Sequence, residues 1–227
     1  MDERPVDLQD LVRRLSEEHL RRGDSVGWFE ALYAAARGDP RHIPWAGLEP
    51  RPQLVEWGDR TDLRGEGRRA LVVGCGLGDD AEELARRGFR VLAFDVSPTA
   101  IAWCRTRFPA STIAWEVADL FAPPEAWTRA FEWVLEEHTV QALPPERHRE
   151  AMTRIAGFVA PGGTLFVLAR ARDEGPTPPG PPWVLARSEL AAYVEAGLRE
   201  VGLEDLTEGA PPVCRFRVVY QAGDGVR

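Results

Sequence analysis

The sequence contains no lysine and no asparagine, so all 28 of its basic residues are arginine. Without lysine the chain cannot form a phosphate-binding P-loop, whose lysine contacts the β- and γ-phosphates. It also cannot form the lysine Schiff base of pyridoxal-phosphate enzymes. Without asparagine it has no glycosylation sequon. Composition alone therefore excludes P-loop nucleotide hydrolases and pyridoxal-phosphate enzymes.

Cysteines, long apolar runs and excess positive charge are also scarce or missing. The three cysteines are far apart, and no pair has metal-ligand or redox spacing, so we predict no metal site. The net charge of −8 disfavours nucleic acid as the main partner, because phosphate binding needs a basic patch. No segment approaches the roughly 20 apolar residues of a membrane span, and the charged N-terminus lacks a signal-peptide core. We therefore expect a cytoplasmic protein with neither a nucleic-acid nor a membrane partner.

The first third of the chain reads as helical. A length of 227 residues with 44% apolar residues suits a single domain. Apolar residues recur at helical spacing over residues 6–22, and Ser25 is placed to cap a second helix. A loop rich in proline and glycine covers residues 38–52. We expect residues 1–60 to form N-terminal helices and a lid segment packed on a core of residues 61–227.

From residue 70 onward, short apolar strands alternate with helices of 10–15 residues, which predicts β-α-β units with right-handed crossovers. Seven strands are predicted, near residues 70–73, 90–94, 112–118, 130–137, 162–170, 199–209 and 213–221. Ser97 and the proline after it begin one of the helices. The expected fold is a seven-stranded, mostly parallel, doubly wound (Rossmann-like) sheet with an antiparallel last strand.

Polar residues stand at the carboxyl ends of the first four predicted strands, where such sheets bind ligands. They are the glycine loop of residues 74–78, Asp95, Asp119, and the run Glu136–Glu137–His138. A carboxylate after the second strand can accept two ribose hydroxyls, and one after the third can bind an adenine amino group. The glycines let the backbone approach a ligand closely, and the next helix offers free N–H groups.

The residues after the glycine loop bear on the choice of cofactor. A dinucleotide loop has a third glycine where this chain has Asp79, which Asp80 follows. Two carboxylates at the mouth of the helix would repel a diphosphate, whereas a cationic sulfonium without phosphate suits them. The alternative is that both aspartates cap the helix and face water. The loop therefore favours S-adenosylmethionine over NAD or FAD.

The stretch "VVGCGLGDDAEELARRGFRVLAFDVSPTAI" resembles the first two motifs of class I S-adenosylmethionine-dependent methyltransferases. Further segments resemble the thiopurine, thiol and halide methyltransferase group, namely "IPWAGLEPRPQL", "FEWVLEEHTVQALPPERH", "APGGTLFVLARA" and "GPPWVLARSEL". The resemblance covers about residues 28–206. It implies transfer of a methyl group from S-adenosylmethionine, with S-adenosylhomocysteine as product, to a small-molecule nucleophile such as a thiol.

The resemblance also implies roles for individual residues. The methionine and ribose would lie against the glycine loop, the ribose hydroxyls and adenine against the next two strand ends, and a lid of aromatic residues would cover them. The loop residues are Gly74, Cys75, Gly76 and Gly78, and the lid residues are Trp28, Tyr33 and Trp45. Asp95 would hold the ribose hydroxyls with Val96 and Ser97 beside the adenine, and Asp119 and Leu120 would bind the adenine edge. Glu136 would lie near the methionine end of the cofactor.

Two positions depart from the family pattern. Val72 stands where many members have an acidic partner for the methionyl ammonium, so Glu136 or Asp79 would have to replace it. Glu137 stands where the thiopurine enzyme has arginine, which argues against an anionic substrate at that position.

Glu137 and His138 are the candidate catalytic residues. Successive strand residues point to opposite faces, so only one of Glu136 and Glu137 should enter the crevice. A neutral His138 imidazole could accept a proton from the acceptor near pH 7, or it could pack beneath the cofactor. For the acceptor itself, His42 either reaches the substrate or is solvated, and Trp183 either forms a substrate wall or packs on the protein body.

Three alternatives remain open at this point. The chain could keep the fold and bind the cofactor without transferring a methyl group. Val72, in place of the usual acidic residue, favours this alternative. It could methylate oxygen or nitrogen of a small molecule. A nucleic-acid methyltransferase is disfavoured by the acidic composition and by the lack of an Asn/Asp-Pro-Pro-aromatic motif after the fourth strand.

Overall fold

The computed structural model describes residues 8–224, so the predicted helical position Val6 lies outside the described residues. The helices are α1 (Leu8–Arg21), α2 (Gly27–Ala36), α3 (Pro52–Arg60), α4 (Asp79–Arg86), α5 (Pro98–Arg107), α6 (Pro145–Ala156) and α7 (Ala191–Glu195). The strands are β1 (Arg69–Val73), β2 (Arg90–Asp95), β3 (Ala114–Val117), β4 (Phe131–Glu137), β5 (Val159–Arg172), β6 (Leu185–Ala186), β7 (Leu198–Glu208) and β8 (Val213–Ala222).

The main sheet has the order β3-β2-β1-β4-β5-β8-β7. Strands β1 to β5 pair in parallel, and β8 runs antiparallel to both β5 and β7. The predicted Rossmann-like sheet with an antiparallel last strand is therefore confirmed. The central strand β1 is buried on both faces, which is why it reads as a continuous apolar run.

Some local elements differ from the prediction. The two-residue strand β6, which pairs with the end of β5, was not expected because two residues carry no periodicity. The Ser97 cap is confirmed, since its hydroxyl accepts a hydrogen bond from the Ala100 amide at 3.0 Å. The Ser25 cap is wrong: the Asp24 carboxylate instead accepts from the amides of Val26 and Gly27, at 3.1 and 2.8 Å.

The core has an apolar cluster on each face of the sheet, and a third cluster attaches the N-terminal helices. In the third cluster, Trp28, Leu32 and Tyr33 of α2 pack with Leu77 of the glycine loop and Ala100 of α5. Each fully buried large side chain contributes about 1.5–3 kcal/mol. Helix α2 is thereby held against the carboxyl edge of the sheet.

No helix within residues 8–224 is long and apolar enough to cross a membrane. No group of three or more His, Cys, Asp or Glu side chains in that range is placed to hold a metal ion.

Candidate active site

A cavity of about 690 Å³ opens at the carboxyl edge of the sheet, between the strand ends and the N-terminal helices. Thirteen of the predicted site residues line it: Trp28, Tyr33, Trp45, Gly74, Cys75, Gly76, Gly78, Asp95, Val96, Asp119, Leu120, Glu137 and His138. Four do not, namely His42, Ser97, Glu136 and Trp183. The volume is typical of a site for a small ligand.

The glycine loop requires glycine at Gly78, where φ is +90°. A Cβ there would lie 2.6 Å from the Trp115 ring and 3.1 Å from the Cys104 sulfur. Gly78 thus permits the close helix–strand packing that a dinucleotide loop obtains from its third glycine. Gly76, with φ of +55°, faces the Tyr33 hydroxyl, which would lie 3.4 Å from a Cβ at that position. The loop and the aromatic residues above it are therefore in near contact.

Asp95 is held at the end of β2 by two backbone amides. Its Oδ2 accepts from the Gly76 amide at 3.0 Å, and its Oδ1 accepts from the Ser97 amide at 2.9 Å. Burial raises the pKa of Asp95 to about 6, although these amides oppose the shift. A carboxylate has about four acceptor sites, so about two remain for donors in the cavity. Paired ribose hydroxyls match that capacity.

The aromatic cluster of Trp28, Tyr33 and Trp45 covers the glycine loop. The Trp45 indole N–H donates to the Tyr33 hydroxyl at 2.9 Å, and the Trp28 and Trp45 rings meet edge to face with centroids 6.1 Å apart. The indole Nε1 of Trp28 is buried without a hydrogen-bond partner among the described residues. The cavity therefore has an apolar roof with one unused donor.

Helix α2 is joined to α5 by Glu30, a residue that the sequence did not single out. The Glu30 carboxylate accepts from the hydroxyls of Ser97 and Thr99, both at 2.6 Å, and from the Thr99 amide at 3.1 Å. Ser97, which was predicted to lie beside adenine, is fully buried by these contacts and does not line the cavity; it holds Asp95 and Glu30 in place. No short-range pattern links residue 30 to residue 97.

The two glutamates at the end of β4 point to opposite faces, as expected. Glu137 enters the cavity, whereas Glu136 is fully buried behind the strand. The Glu136 Oε1 accepts from the amides of Thr139 and Val140, at 2.8 and 3.1 Å, and burial raises its pKa to about 7. Glu136, which was predicted to lie near the methionine end of the cofactor, therefore does not line the cavity. Glu136 shapes the turn after β4.

Glu137 belongs to a buried group with Arg51 and Asp80. Its Oε1 lies 2.6 Å from the Arg51 Nε, and the Arg51 amide donates to the Asp80 Oδ1 at 2.7 Å. Burial, and then the adjacent Glu137 carboxylate, hold the pKa of Asp80 well above its usual range. Of this carboxyl pair, Asp80 therefore binds a proton more readily, and Glu137 is the partner that faces Arg51.

His138 follows in a left-handed backbone conformation, with φ of +59°. Its Nδ1 lies 3.3 Å from the Glu137 Oε1, and its Nε2 is buried without a partner among the described residues. Burial lowers the pKa of His138 to about 3, and the guanidiniums of Arg51 and Arg215 act in the same direction. An imidazole with that pKa is a poor proton acceptor near pH 7. The structure therefore argues against His138 as the general base.

The two predicted acceptor residues lie outside the cavity. A short 3-10 helix, Pro40–His42, turns the exposed His42 to the surface. Trp183 packs over Gly180, and its amide donates to the Gln141 carbonyl at 2.7 Å. Two other residues of the same loop, Pro181 and Pro182, line the cavity. The proline loop therefore does form a wall, but through its prolines.

The aspartates after the glycine loop do not behave as a pair of caps. Asp79 forms an ion pair with Arg107, at 2.7 and 2.9 Å, and no side chain caps the start of α4. Repulsion of a diphosphate by two free carboxylates is therefore weaker than the sequence suggested. Because Asp79 is paired with Arg107, it is not available to replace the acidic residue that is missing at Val72. The Glu137 carboxylate lines the cavity and can take that place.

Three arginines that the sequence did not single out line the cavity as well: Arg51, Arg170 and Arg215. They come from the loop before α3, the end of β5 and the start of β8. Among 28 basic residues no local pattern distinguishes them. Their common position follows only from the order of the strands.

The remaining contacts fit an adenosine-containing cofactor without phosphate. Asp95 has free acceptor capacity, and the Asp119 Oδ1 accepts only from the Phe121 amide at 2.9 Å among the described residues. Cys75 lines the loop, and burial raises the pKa of its thiol well above the usual range, which disfavours a reactive thiolate. The residues present therefore fit S-adenosylmethionine: carboxyl groups can accept hydrogen bonds from its hydroxyl and amino groups, and the glycine loop allows close contact with the backbone.

Comparisons with known proteins agree with this geometry. Residues 70–163 match the family described as a methyltransferase domain. An uncharacterized methyltransferase of Mycobacterium bovis is 37% identical over 98 residues, which cover 43% of this chain and 48% of that protein. The chain thus spans about half the length of the mycobacterial relative that it matches. A probable thiol methyltransferase of Arabidopsis thaliana is 29% identical over 203 residues, covering 87% and 82% of the two chains.

A solved structure extends the comparison to the fold. It is the 1,6-didemethyltoxoflavin-N1-methyltransferase of Burkholderia thailandensis with its substrate and S-adenosylhomocysteine bound, at 18% identity and a TM-score of 0.66, covering 93% of this chain and 91% of that one. At that identity the likeness shows the fold alone. Together, the family match and these relatives show that the chain is similar to methyltransferases.

Proposed function

We propose that the chain transfers a methyl group from S-adenosylmethionine to a small-molecule nucleophile, with a thiol as the first candidate. The observation that carries the proposal is Asp95. It is fixed by the glycine loop and by the start of α5, it keeps acceptor capacity toward the cavity, and the ends of β1 to β4 surround it. The thiol is supported by the similarity to the Arabidopsis protein named as a probable thiol methyltransferase.

In the proposed mechanism the chain mainly binds and orients. When bound, S-adenosylmethionine supplies an electrophilic methyl group on a sulfonium sulfur. The glycine loop gives close backbone contact, Asp95 accepts the ribose hydroxyls, and Asp119 accepts from the adenine edge. Displacement chiefly needs the nucleophile held near the methyl group in line. The aromatic cluster and the proline loop exclude water from that point.

Proton removal from the acceptor falls to Glu137 in this proposal. Burial raises the pKa of Glu137, although Arg51 opposes the shift, so its carboxylate is a better base than an exposed glutamate. A thiol needs only this deprotonation, since the thiolate is the reactive form. We further propose that residues 1–60 act as the lid, with α2 latched to α5 through Glu30.

A methyltransferase fold that binds the cofactor without transfer is the second candidate. Val72 favours it, because an apolar side chain replaces the expected acidic partner, and so does the low pKa of His138. Methylation at oxygen or nitrogen of a small molecule is the remaining variant of the first proposal.

The test has two stages. Calorimetry with S-adenosylmethionine and S-adenosylhomocysteine should show binding of both; absence of heat with either ligand would refute cofactor binding. A methyl-release assay on thiols, halides, phenols and amines should then show turnover with at least one thiol, and Glu137→Gln should lower kcat. Tight cofactor binding without turnover on any acceptor would favour the second candidate.

A further inference from the structure

We propose that the methyl acceptor carries a carboxylate, and that Arg170 and Arg215 bind it. This inference rests on the proposed function and names its substrate class. Both arginines line the cavity that holds the candidate active site, on the side formed by β5 and β8. We call this side the arginine end.

The arginine end is separated from the cofactor-binding strands. Arg170, near the end of β5, lies directly opposite Arg215, near the start of β8, in the antiparallel register. In the sheet, β4 and β5 stand between β1 and β8. Strands are 4.7–4.9 Å apart, so β8 lies about 14 Å from the strand that carries the glycine loop. The backbones of both arginines therefore lie on the side of β4 away from the glycine loop.

The guanidinium groups are incompletely paired within the described chain. The Arg170 side chain forms no hydrogen bond or ion pair with any residue in the range 8–224. The backbone amide of Arg170 donates to the Gln141 Oε1 at 2.5 Å. Arg215 donates from Nη1 to the Glu208 Oε2 at 2.9 Å, but its Nε is buried without a partner. Like charges opposite each other across two strands are destabilising. An anion between them would relieve that repulsion.

The acidic groups nearby supply only part of this negative charge. Glu137 lies 2.6 Å from Arg51, and Glu208 pairs with Arg215 while also accepting from the Gln53 side-chain amide. The Arg170 guanidinium has no carboxylate partner among residues 8–224. Arg170 and Arg215 both lower the pKa of His138, so their positive field reaches the catalytic end of the cavity. A net positive charge therefore remains at the arginine end.

The geometry favours a carboxylate over a single-atom anion. A guanidinium presents a planar fork of N–H donors that matches the two oxygens of a carboxylate. Two such forks on adjacent strands offer more donors than a thiolate or a halide can accept. The methionine carboxylate of the cofactor has the same chemistry, so the experiment must separate it from a carboxylate on the acceptor.

The first arm measures methyl transfer to two acid–ester pairs: 3-mercaptopropionate and 4-mercaptobenzoate, each beside its methyl ester. We expect kcat/KM to be at least tenfold higher for one acid than for its ester. Arg170→Gln should remove most of that preference by raising KM, Arg215→Gln should act in the same direction, and Arg170→Lys should keep part of it. The matched control is Arg199→Gln, which changes an exposed arginine of β7 outside the cavity.

The second arm measures binding without chemistry, by calorimetry on the protein saturated with S-adenosylhomocysteine. The probes are the methylated product 3-(methylthio)propionate and its methyl ester. Tighter binding of the acid than of the ester, with this difference lost in Arg170→Gln, would support the inference. If no thiol is turned over but this binding difference is seen, the proposed function alone fails. The inference would be overturned if the natural protein showed equal kcat/KM for each acid and its ester and equal affinity for the acid and ester products.

Two further outcomes would also overturn the inference. If Arg170→Gln weakens S-adenosylmethionine binding in the absence of acceptor and leaves the acid–ester ratio unchanged, the arginines serve the cofactor carboxylate. If Arg170→Gln lowers kcat equally for acid and ester and shifts the pH profile upward, the arginines stabilise the thiolate. In both cases methyl transfer, and with it the proposed function, would stand.

Discussion

Replacing Asp95 by asparagine is the sharpest perturbation of the cofactor site. The carboxylate uses one acceptor position on each oxygen for the amides of Gly76 and Ser97. Asparagine keeps the shape but offers only one carbonyl oxygen, so its NH₂ group must face one of these two N–H donors. The variant therefore loses charge toward the ligand and an acceptor toward the loop.

The expected loss can be worked out from these contacts. Hydrogen bonds to a charged group contribute about 1.5–3 kcal/mol. Losing one such contribution to the ribose weakens cofactor binding by about 10- to 150-fold. An unsatisfied amide in the loop costs about 1–3 kcal/mol of folding free energy. For a chain of this size each kcal/mol lowers Tm by about 2–4 °C.

The assay is calorimetric titration with S-adenosylhomocysteine, repeated between pH 5 and pH 8. The pKa of Asp95 in the free protein is about 6, above the usual 3.8, so at pH 5 most of the carboxyl is protonated. Ribose hydroxyls donate to the ionised form. Affinity should therefore fall by about tenfold from pH 7 to pH 5 in the natural protein, and it should be nearly flat in Asp95→Asn.

The same shift has a consequence for stability without ligand. Because the folded-state pKa of Asp95 is raised, its contribution is most favourable below the unfolded value of 3.8 and is lost as the pH rises through about 6. Asp205→Asn, an exposed change on β7, is the control for net charge. Unchanged affinity and unchanged pH dependence in a folded Asp95→Asn protein would refute the reasoning, since the ribose would then be held elsewhere.

Three further predictions concern stability and the lid. Gly78→Ala should lower Tm by at least about 4 °C because it adds a clash to backbone strain; Gly197→Ala, with a similar φ and open space, should lower it less, and equal shifts would contradict the packing argument. Glu30→Ala should weaken cofactor binding and increase amide exchange in α2, because its three hydrogen bonds to α5 are lost; unchanged exchange would rule out a latch. Glu137→Gln should lower Tm more than Asp80→Asn, because Glu137 pairs with the Arg51 guanidinium whereas burial and the Glu137 charge favour the protonated, neutral form of Asp80; the reverse order in thermal melts would contradict this assignment.

Features that depend on neighbours along the chain or on strand direction could be predicted from the amino-acid sequence. The glycine loop, the Ser97 cap and the positions of Asp95 and Asp119 all follow from local patterns. Parallel strands end at the same edge of a sheet, so the residues after each strand meet whatever their exact contacts. For that reason the fold and most of the predicted cofactor-side residues could be located without coordinates.

Features that depend on packing between distant segments became visible only in the folded protein. Burial raised the pKa of Asp80 and kept His138 neutral, and the pleat of β4 directed Glu137 rather than Glu136 into the cavity. The register of β5 against β8 set Arg170 opposite Arg215. Charge and pKa depend on three-dimensional surroundings, and register depends on the whole sheet, so no local pattern could have shown that a cavity beside an acidic strand end is also lined with arginine.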